Sequence, residues 1–182
     1  MLAKNKVRKR YLILRKKKYF QINEKFFNPF LNFIRNKRIK SVSVYYPSNY
    51  ELDTLVLLKI FNKMKNLSLS LPIITSKGKM RFVIWKPNDP LKVNRYGFLE
   101  PVHKKKITYP RIILVPLLAY DSNKNRLGYG AGYYDRFINN QQKKNSGIIT
   151  IGLAFSFQEY KKIPISKFDK KLDYILTEKG MF

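Results

Sequence analysis

The stretch RLGYGAGYYDR, residues 126–136, places three of the chain's eight glycines at alternate positions, Gly128, Gly130 and Gly132. Glycine reaches backbone conformations closed to other residues and lets the main chain approach a ligand closely. Successive N–H groups can then point into one concavity, a nest suited to phosphate oxygens. A helix starting near Gly132 would add the positive end of its dipole. Arg126 and Arg136 flank the loop and could supply fixed charge. The G-x-G-x-G spacing matches neither the dinucleotide fingerprint nor a P-loop, which also requires G-K-S/T. A tight strand-to-helix turn, with its tyrosines packed on a sheet, would use the same residues.

Asp135 follows the loop at once. A carboxylate beside a phosphate nest repels the ligand unless a cation lies between them, which is the arrangement of a magnesium–nucleotide complex. A second oxygen donor would come from the late acids Asp121, Asp169 and Asp173, and composition does not choose among them. The other role open to Asp135 is that of a first-turn acid favoured by the helix dipole. The chain has no cysteine and one histidine, His103, which excludes disulfides, thiolate zinc sites, multi-histidine metal sites and Cys–His pairs. Any metal must be a hard cation held by oxygen.

These residues need elements to position them. Residues 3–20 lack Gly and Pro and read as a helix, on which Lys4 and Arg8 lie four apart and share a face. A solvated basic face explains most lysines of that helix equally well. A second helical stretch, 22–36, contains Pro29, expected to break or kink it. SVSVYYP (41–47) reads as a strand, and residues 48–66 carry cap-type residues followed by apolar positions at helical spacing. LSLPIIT (69–75) and MRFVIW (80–85) read as strands joined by a turn, and 86–106 as a loop with three prolines. RIILVPLLAY (111–120) and GIITIGLAF (147–155) are near-continuous apolar runs, the mark of strands buried on both faces. A helix is expected over 133–144 and a last strand within 172–178. The alternation predicts an α/β layered fold with a mainly parallel sheet, in which ligands bind at the carboxyl ends of strands. The glycine loop lies on that edge.

At 182 residues one domain, 1–182, is expected, and 45% apolar residues with 15% aromatics mark a globular chain. The formal charge of +27, from 38 basic against 11 acidic residues, would attract polyanions. The lysines are dispersed and no RNP pattern or finger spacing accompanies them, so compositional drift is favoured and nucleic acid is expected to bind only nonspecifically. A basic nucleic-acid-binding protein without catalytic activity is the alternative function. No apolar run approaches a membrane span, and YLIL near the start is too short for a secretory core. A cytoplasmic monomer is expected.

The motif RLGYGAGYYDRF closely resembles the signature of the 5-formyltetrahydrofolate cyclo-ligases, or methenyltetrahydrofolate synthetases. KNKVR, YYPSNYELDT, LPIIT…MRFVIW, GFLEP, ILVPLLAYD, IGLAFSFQ and FDKKLDYILTEKG resemble the family's further segments in the family's order. The resemblance implies a three-layer α/β/α sandwich of the NagB/RpiA/CoA-transferase type. It implies ATP- and magnesium-dependent conversion of 5-formyltetrahydrofolate to 5,10-methenyltetrahydrofolate, with release of ADP and phosphate. By carry-over, Lys4 through Arg8 and the loop Arg126, Leu127, Gly128, Tyr129, Gly130, Ala131, Gly132, Tyr133 and Tyr134 would bind ATP. Tyr46, Glu51 and Gly130 would face the folate, and Asp135 and Asp169 would hold magnesium. Ala131 stands where the family varies, and Tyr120 replaces a common Phe. Glu51 could accept from the pterin's N–H groups or serve only as a first-turn acid. Trp85 and Tyr46 offer flat surfaces for the pterin, although a lone Trp at a strand end is commonly core.

Overall fold

The computed structural model describes residues 2–64, 66–102, 106–144 and 147–182, so His103 lies outside the described residues. Helix α1 (Leu2–Lys18) is followed by a 3-10 turn (Glu24–Phe27) and α2 (Asn28–Asn36). Pro29 does not kink a longer helix. It sits in the first turn of α2, where its missing N–H costs nothing. Strand β1 (Ser41–Ser43) leads to α3 (Leu55–Asn62), β2 (Ser68–Ile74) and β3 (Met80–Ile84). The expected loop 86–106 instead contains a hairpin, β4 (Leu91–Val93) and β5 (Leu99–Pro101), closed by a turn in which the Asn94 side chain accepts from the Tyr96 and Phe98 N–H groups. Its prolines flank or end the strands, so the ladder survives them.

Strand β6 (Ile107–Thr108) precedes β7 (Ile112–Pro116), β8 (Ala119–Tyr120) and β9 (Arg126–Leu127). The run 111–120 is thus two strands, not one. After Pro116 the chain leaves the main sheet, and the Gln158 side-chain amide donates to the Leu117 and Leu118 carbonyls, at 3.1 and 2.9 Å. Helix α4 (Tyr133–Lys143), β10 (Ile149–Leu153), β11 (Tyr174–Thr177) and β12 (Gly180–Met181) complete the chain.

Among the described residues, eight strands form one sheet in the order β12-β11-β10-β7-β1-β2-β3-β6. The five central strands, β11 to β2, pair in parallel, and the flanking pairings are antiparallel. Pleating sends alternate β7 side chains to opposite faces. Ile112 and Leu114 join Phe27, Phe30, Ile34 and Leu57 under α2 and α3, while Ile113 and Val115 join Phe82, Phe137 and Ile138 under α4. Helices on both faces make the α/β layering of an α/β/α sandwich. Helix α1 packs Val7 and Tyr11 against Leu118, Ala119, Leu127 and Ile163, beyond the carboxyl end of β7. No described helix is long and apolar enough to cross a membrane.

Candidate functional site

The loop between β9 and α4 needs glycine at two of its three glycine positions. Gly130 has φ +106° and Gly132 φ +66°, conformations that L side chains rarely adopt. A Cβ on Gly130 would also lie 3.3 Å from the Arg8 guanidinium carbon. Gly128 has no such φ, and a Cβ there would meet nothing within 4 Å, because this edge opens onto a cavity. The N-cap of α4 is Gly132, which has no side chain to cap the helix, so among the described residues its first N–H groups are left to an anion or to water.

That cavity has a volume of about 420 Å³ and lies at the carboxyl end of the parallel strands. Lys4 and Arg8, Tyr46 and Glu51, the whole loop 126–134, Asp135 and Asp169, all expected from the sequence, line it, whereas residues 5–7, Trp85 and Arg136 do not. The roof was missed by sequence reasoning. Asn94, Tyr96 and Phe98 of the hairpin line the same cavity, and the Tyr96 hydroxyl hydrogen-bonds that of Tyr133. Buried Glu100 ties the hairpin to β2, accepting from the Ile74 N–H at 3.1 Å and the Asn94 amide at 3.2 Å.

At the glycine end, Arg8 Nε donates to the Gly128 carbonyl at 2.9 Å, fastening α1 to the loop. Arg126 is not a free charge beside the nest. Its buried guanidinium donates to Asp135 Oδ1 at 2.9 Å and to the Lys170 carbonyl at 2.7 Å. Burial pulls its pKa down, against the Asp135 charge and hydrogen bond. Arg136 is exposed and lies over the Tyr133 ring, 5.0 Å from its centroid.

The three late acids lie in different surroundings. Asp121 is saturated by the N–H groups of Asn123, Asn125 and Ile163 and by the Asn125 amide. Asp173 accepts from Thr150, through its N–H and its hydroxyl. Only Asp169 of the three reaches the cavity, where Lys4 Nζ and the Ser166 N–H both donate to its Oδ2. Burial raises its pKa, but the Lys4 hydrogen bond, the Ser166 N–H and the Lys4 charge outweigh that and leave it lowered.

A hard cation fits this donor set. The donors to Asp135 both arrive at Oδ1 and those to Asp169 both at Oδ2, so each carboxylate keeps one oxygen without a donor among the described residues. Among those residues no group of three or more His, Asp or Glu side chains gathers. Two carboxylates completed by ligand phosphates suit magnesium, which favours few protein ligands.

At the other end, Glu51 is 6% exposed. Its Oε1 accepts from the Tyr129 hydroxyl at 2.6 Å, and its Oε2 from the Ser48 N–H at 2.9 Å. Burial pushes its pKa up, partly countered by the Tyr129 hydrogen bond, the Arg15 charge and Ser48. Arg15, 1% exposed, reaches the same tyrosine hydroxyl at 2.6 Å. Sequence reasoning missed Arg15, yet it continues the Lys4–Arg8–Tyr11 stripe of α1 at helical spacing. Tyr46 is half-buried on the cavity wall. Trp85 offers no surface to it: the ring is 4% exposed in the core under α2 and α3, with Nε1 donating to the Asp89 carbonyl at 3.2 Å.

Known proteins resemble this chain in sequence and in fold. A profile described as the 5-formyltetrahydrofolate cyclo-ligase family matches residues 3–178. The 5-formyltetrahydrofolate cyclo-ligase of Haemophilus influenzae is 32% identical over 153 residues, covering 81% of this chain and 80% of that protein. One from Mycoplasma genitalium is 26% identical over 181 residues, 97% of this chain and 98% of that protein. The NMR structure of Aquifex aeolicus 5,10-methenyltetrahydrofolate synthetase matches with TM-score 0.75 at 27% identity, covering 100% of this chain and 92% of that one. With the profile spanning nearly the whole sequence and the glycine loop set at the mouth of its cavity, the chain belongs to the 5-formyltetrahydrofolate cyclo-ligase family.

Proposed function

We propose that this enzyme converts 5-formyltetrahydrofolate to 5,10-methenyltetrahydrofolate at the expense of ATP, releasing ADP and phosphate. The observation that carries the reading is convergence. Residues from position 4 to position 169, with a phosphate-type glycine loop at one end and a buried carboxylate at the other, line one cavity.

A formamide oxygen is a very poor leaving group. Transfer of the γ-phosphoryl group of ATP to that oxygen makes it a phosphate leaving group. N10 of the same folate then attacks the formyl carbon, the ring closes, and phosphate departs with the former formyl oxygen. Such a route asks the protein for positioning and charge stabilisation rather than a nucleophile. That suits a chain with no cysteine and one histidine.

The loop N–H groups and the start of α4 would hold the phosphates, with Lys4 and Arg8 supplying charge from α1. Asp135 and Asp169 would hold magnesium, which when bound offsets phosphate charge during transfer. Glu51 would accept from the pterin through Oε1, which takes only the Tyr129 hydroxyl among the described residues and keeps a lone pair, whereas Oε2 already accepts from the Ser48 N–H and hydroxyl. The hairpin roof would help exclude water.

The direct test is absorbance of the methenyl product from 5-formyltetrahydrofolate, with and without ATP. Product only with ATP and magnesium is expected. Failure to form it with both present overturns the reading.

A further inference from the structure

We propose that Tyr129, backed by Arg15, is a positioning residue that keeps the Glu51 carboxylate ionised and oriented in the cavity. The inference rests on reading Glu51 as the folate-side acceptor. It adds a role for the tyrosine side chain distinct from the nucleotide contact expected of its loop.

The direction of the proton follows from chemistry. Arg15 Nη2 and Glu51 Oε1 each lie 2.6 Å from the Tyr129 hydroxyl. A guanidinium can only donate, so the hydroxyl oxygen accepts from Arg15 and gives its single proton to Glu51. The relay carries the positive charge of α1 to the carboxylate without direct contact. A donor polarised by a cation is a stronger donor, and hydrogen bonds to the charged form favour it.

Arg15 is built in for this purpose. Nη2 also donates to the Asn49 carbonyl at 2.6 Å, and Nη1 to the Leu117 carbonyl at 3.4 Å. Its buried Nε has no hydrogen-bond partner among the described residues, so the guanidinium is held through its two Nη groups. Asn49 and Tyr50 have φ +48° and +60°, so the turn carrying Glu51 is itself strained and is pinned by this arginine.

The groups facing Glu51 come from every element around it. They are Arg15 of α1, Tyr129 of the glycine loop, Tyr134 of α4, Tyr45 beyond β1, and Ser48 of its own turn. Arg15 alone among them carries positive charge at neutral pH. Burial raises the carboxyl pKa, and the Tyr129 bond is the first influence opposing it. Deleting the hydroxyl must therefore make Glu51 easier to protonate.

The test is equilibrium binding of 5-formyltetrahydrofolate, without ATP or magnesium, from about pH 5 to about pH 9. Wild-type affinity should fall on the acid side as Glu51 takes a proton. In Tyr129→Phe that acid limb should move up by about one pH unit, a tenfold loss along the limb. Arg15→Lys should move it less, because a cation remains behind the hydroxyl. Glu51→Gln should bind weakly with no acid limb. An unshifted limb in Tyr129→Phe, or a loss uniform at all pH, overturns the inference while a weak, flat Glu51→Gln leaves the folate reading standing. Wild-type binding by Glu51→Gln overturns the folate reading itself. Should Tyr129→Phe fail to fold, an unshifted limb in Arg15→Lys and in Arg15→Met together refutes the relay.

Discussion

Asp135→Asn should melt roughly 3 to 12 °C below wild type even with all magnesium removed, because this carboxylate is part of the fold as well as the site. Its Oδ1 accepts from Arg126 Nη2 and from the Lys170 N–H, both at 2.9 Å. The Arg126 side chain is 4% exposed, and that of Asp135 23%. Breaking a fully buried pair costs about 3–5 kcal/mol through the orphaned charge. Here asparagine keeps one acceptor oxygen, and the acid is partly solvated. The loss is therefore closer to that of a charge-assisted hydrogen bond, about 1.5–3 kcal/mol. At about 2–4 °C per kcal/mol for a chain of this size, the stated range follows. The assay is thermal unfolding by circular dichroism in excess chelator, which separates the ion pair from any bound cation. Arg126→Met with Asp135→Asn should cost less than the sum of the two single changes, since both break the same ion pair, while Arg126→Met also frees the Lys170 carbonyl. An Asp135→Asn protein within about 1 °C of wild type in chelator would refute the structural role. With that baseline, turnover against magnesium concentration tests the proposed metal role, which predicts partial rescue at high magnesium.

Gly130→Val should weaken nucleotide binding at least tenfold without rescue by magnesium, because φ +106° excludes a branched residue and its Cβ would press on Arg8; calorimetric titration with ATP measures this. For Asp169 the lowered pKa fixes the sign: ionisation contributes stability above the ordinary carboxylate value and loses it as pH falls through the lowered one. The melting difference between wild type and Asp169→Asn should thus be full near neutrality and vanish in acid, its size within the roughly 1 kcal/mol of partly exposed pairs. Retention on duplex DNA should appear at low salt and fade steeply as salt rises, consistent with dispersed charge. Sequence-specific binding surviving physiological salt would refute that view.

Local requirements were legible in the sequence. Positive φ at Gly130 and Gly132 is a property of single residues, so the glycine loop announced itself. The apolar runs around Ile112–Val115 and Ile149–Leu153 marked central strands because both faces of a parallel sheet are covered. Where punctuation misled, neighbours decided. Proline-rich residues 86–106 looked like loop, yet the Glu100 carboxylate and β2 make a hairpin of part of them. Trp85 offered a ring to a ligand, and its packing under α2 and α3 took it into the core.

By itself the sequence determined the glycine loop, the layered α/β class and the pool of late acids from which a second metal ligand was expected. Only the tertiary structure decided that Asp169 and not Asp121 or Asp173 reaches the cavity, and that Arg15 stands behind Tyr129. The physical reason is separation along the chain. Lys4 and Asp169 lie 165 residues apart, Arg15 and Tyr129 114, and Tyr129 and Glu51 78. Propensity and periodicity act over a few residues, whereas these contacts exist only because parallel crossovers bring the carboxyl ends of distant strands to one edge of the sheet and α1 packs across that edge.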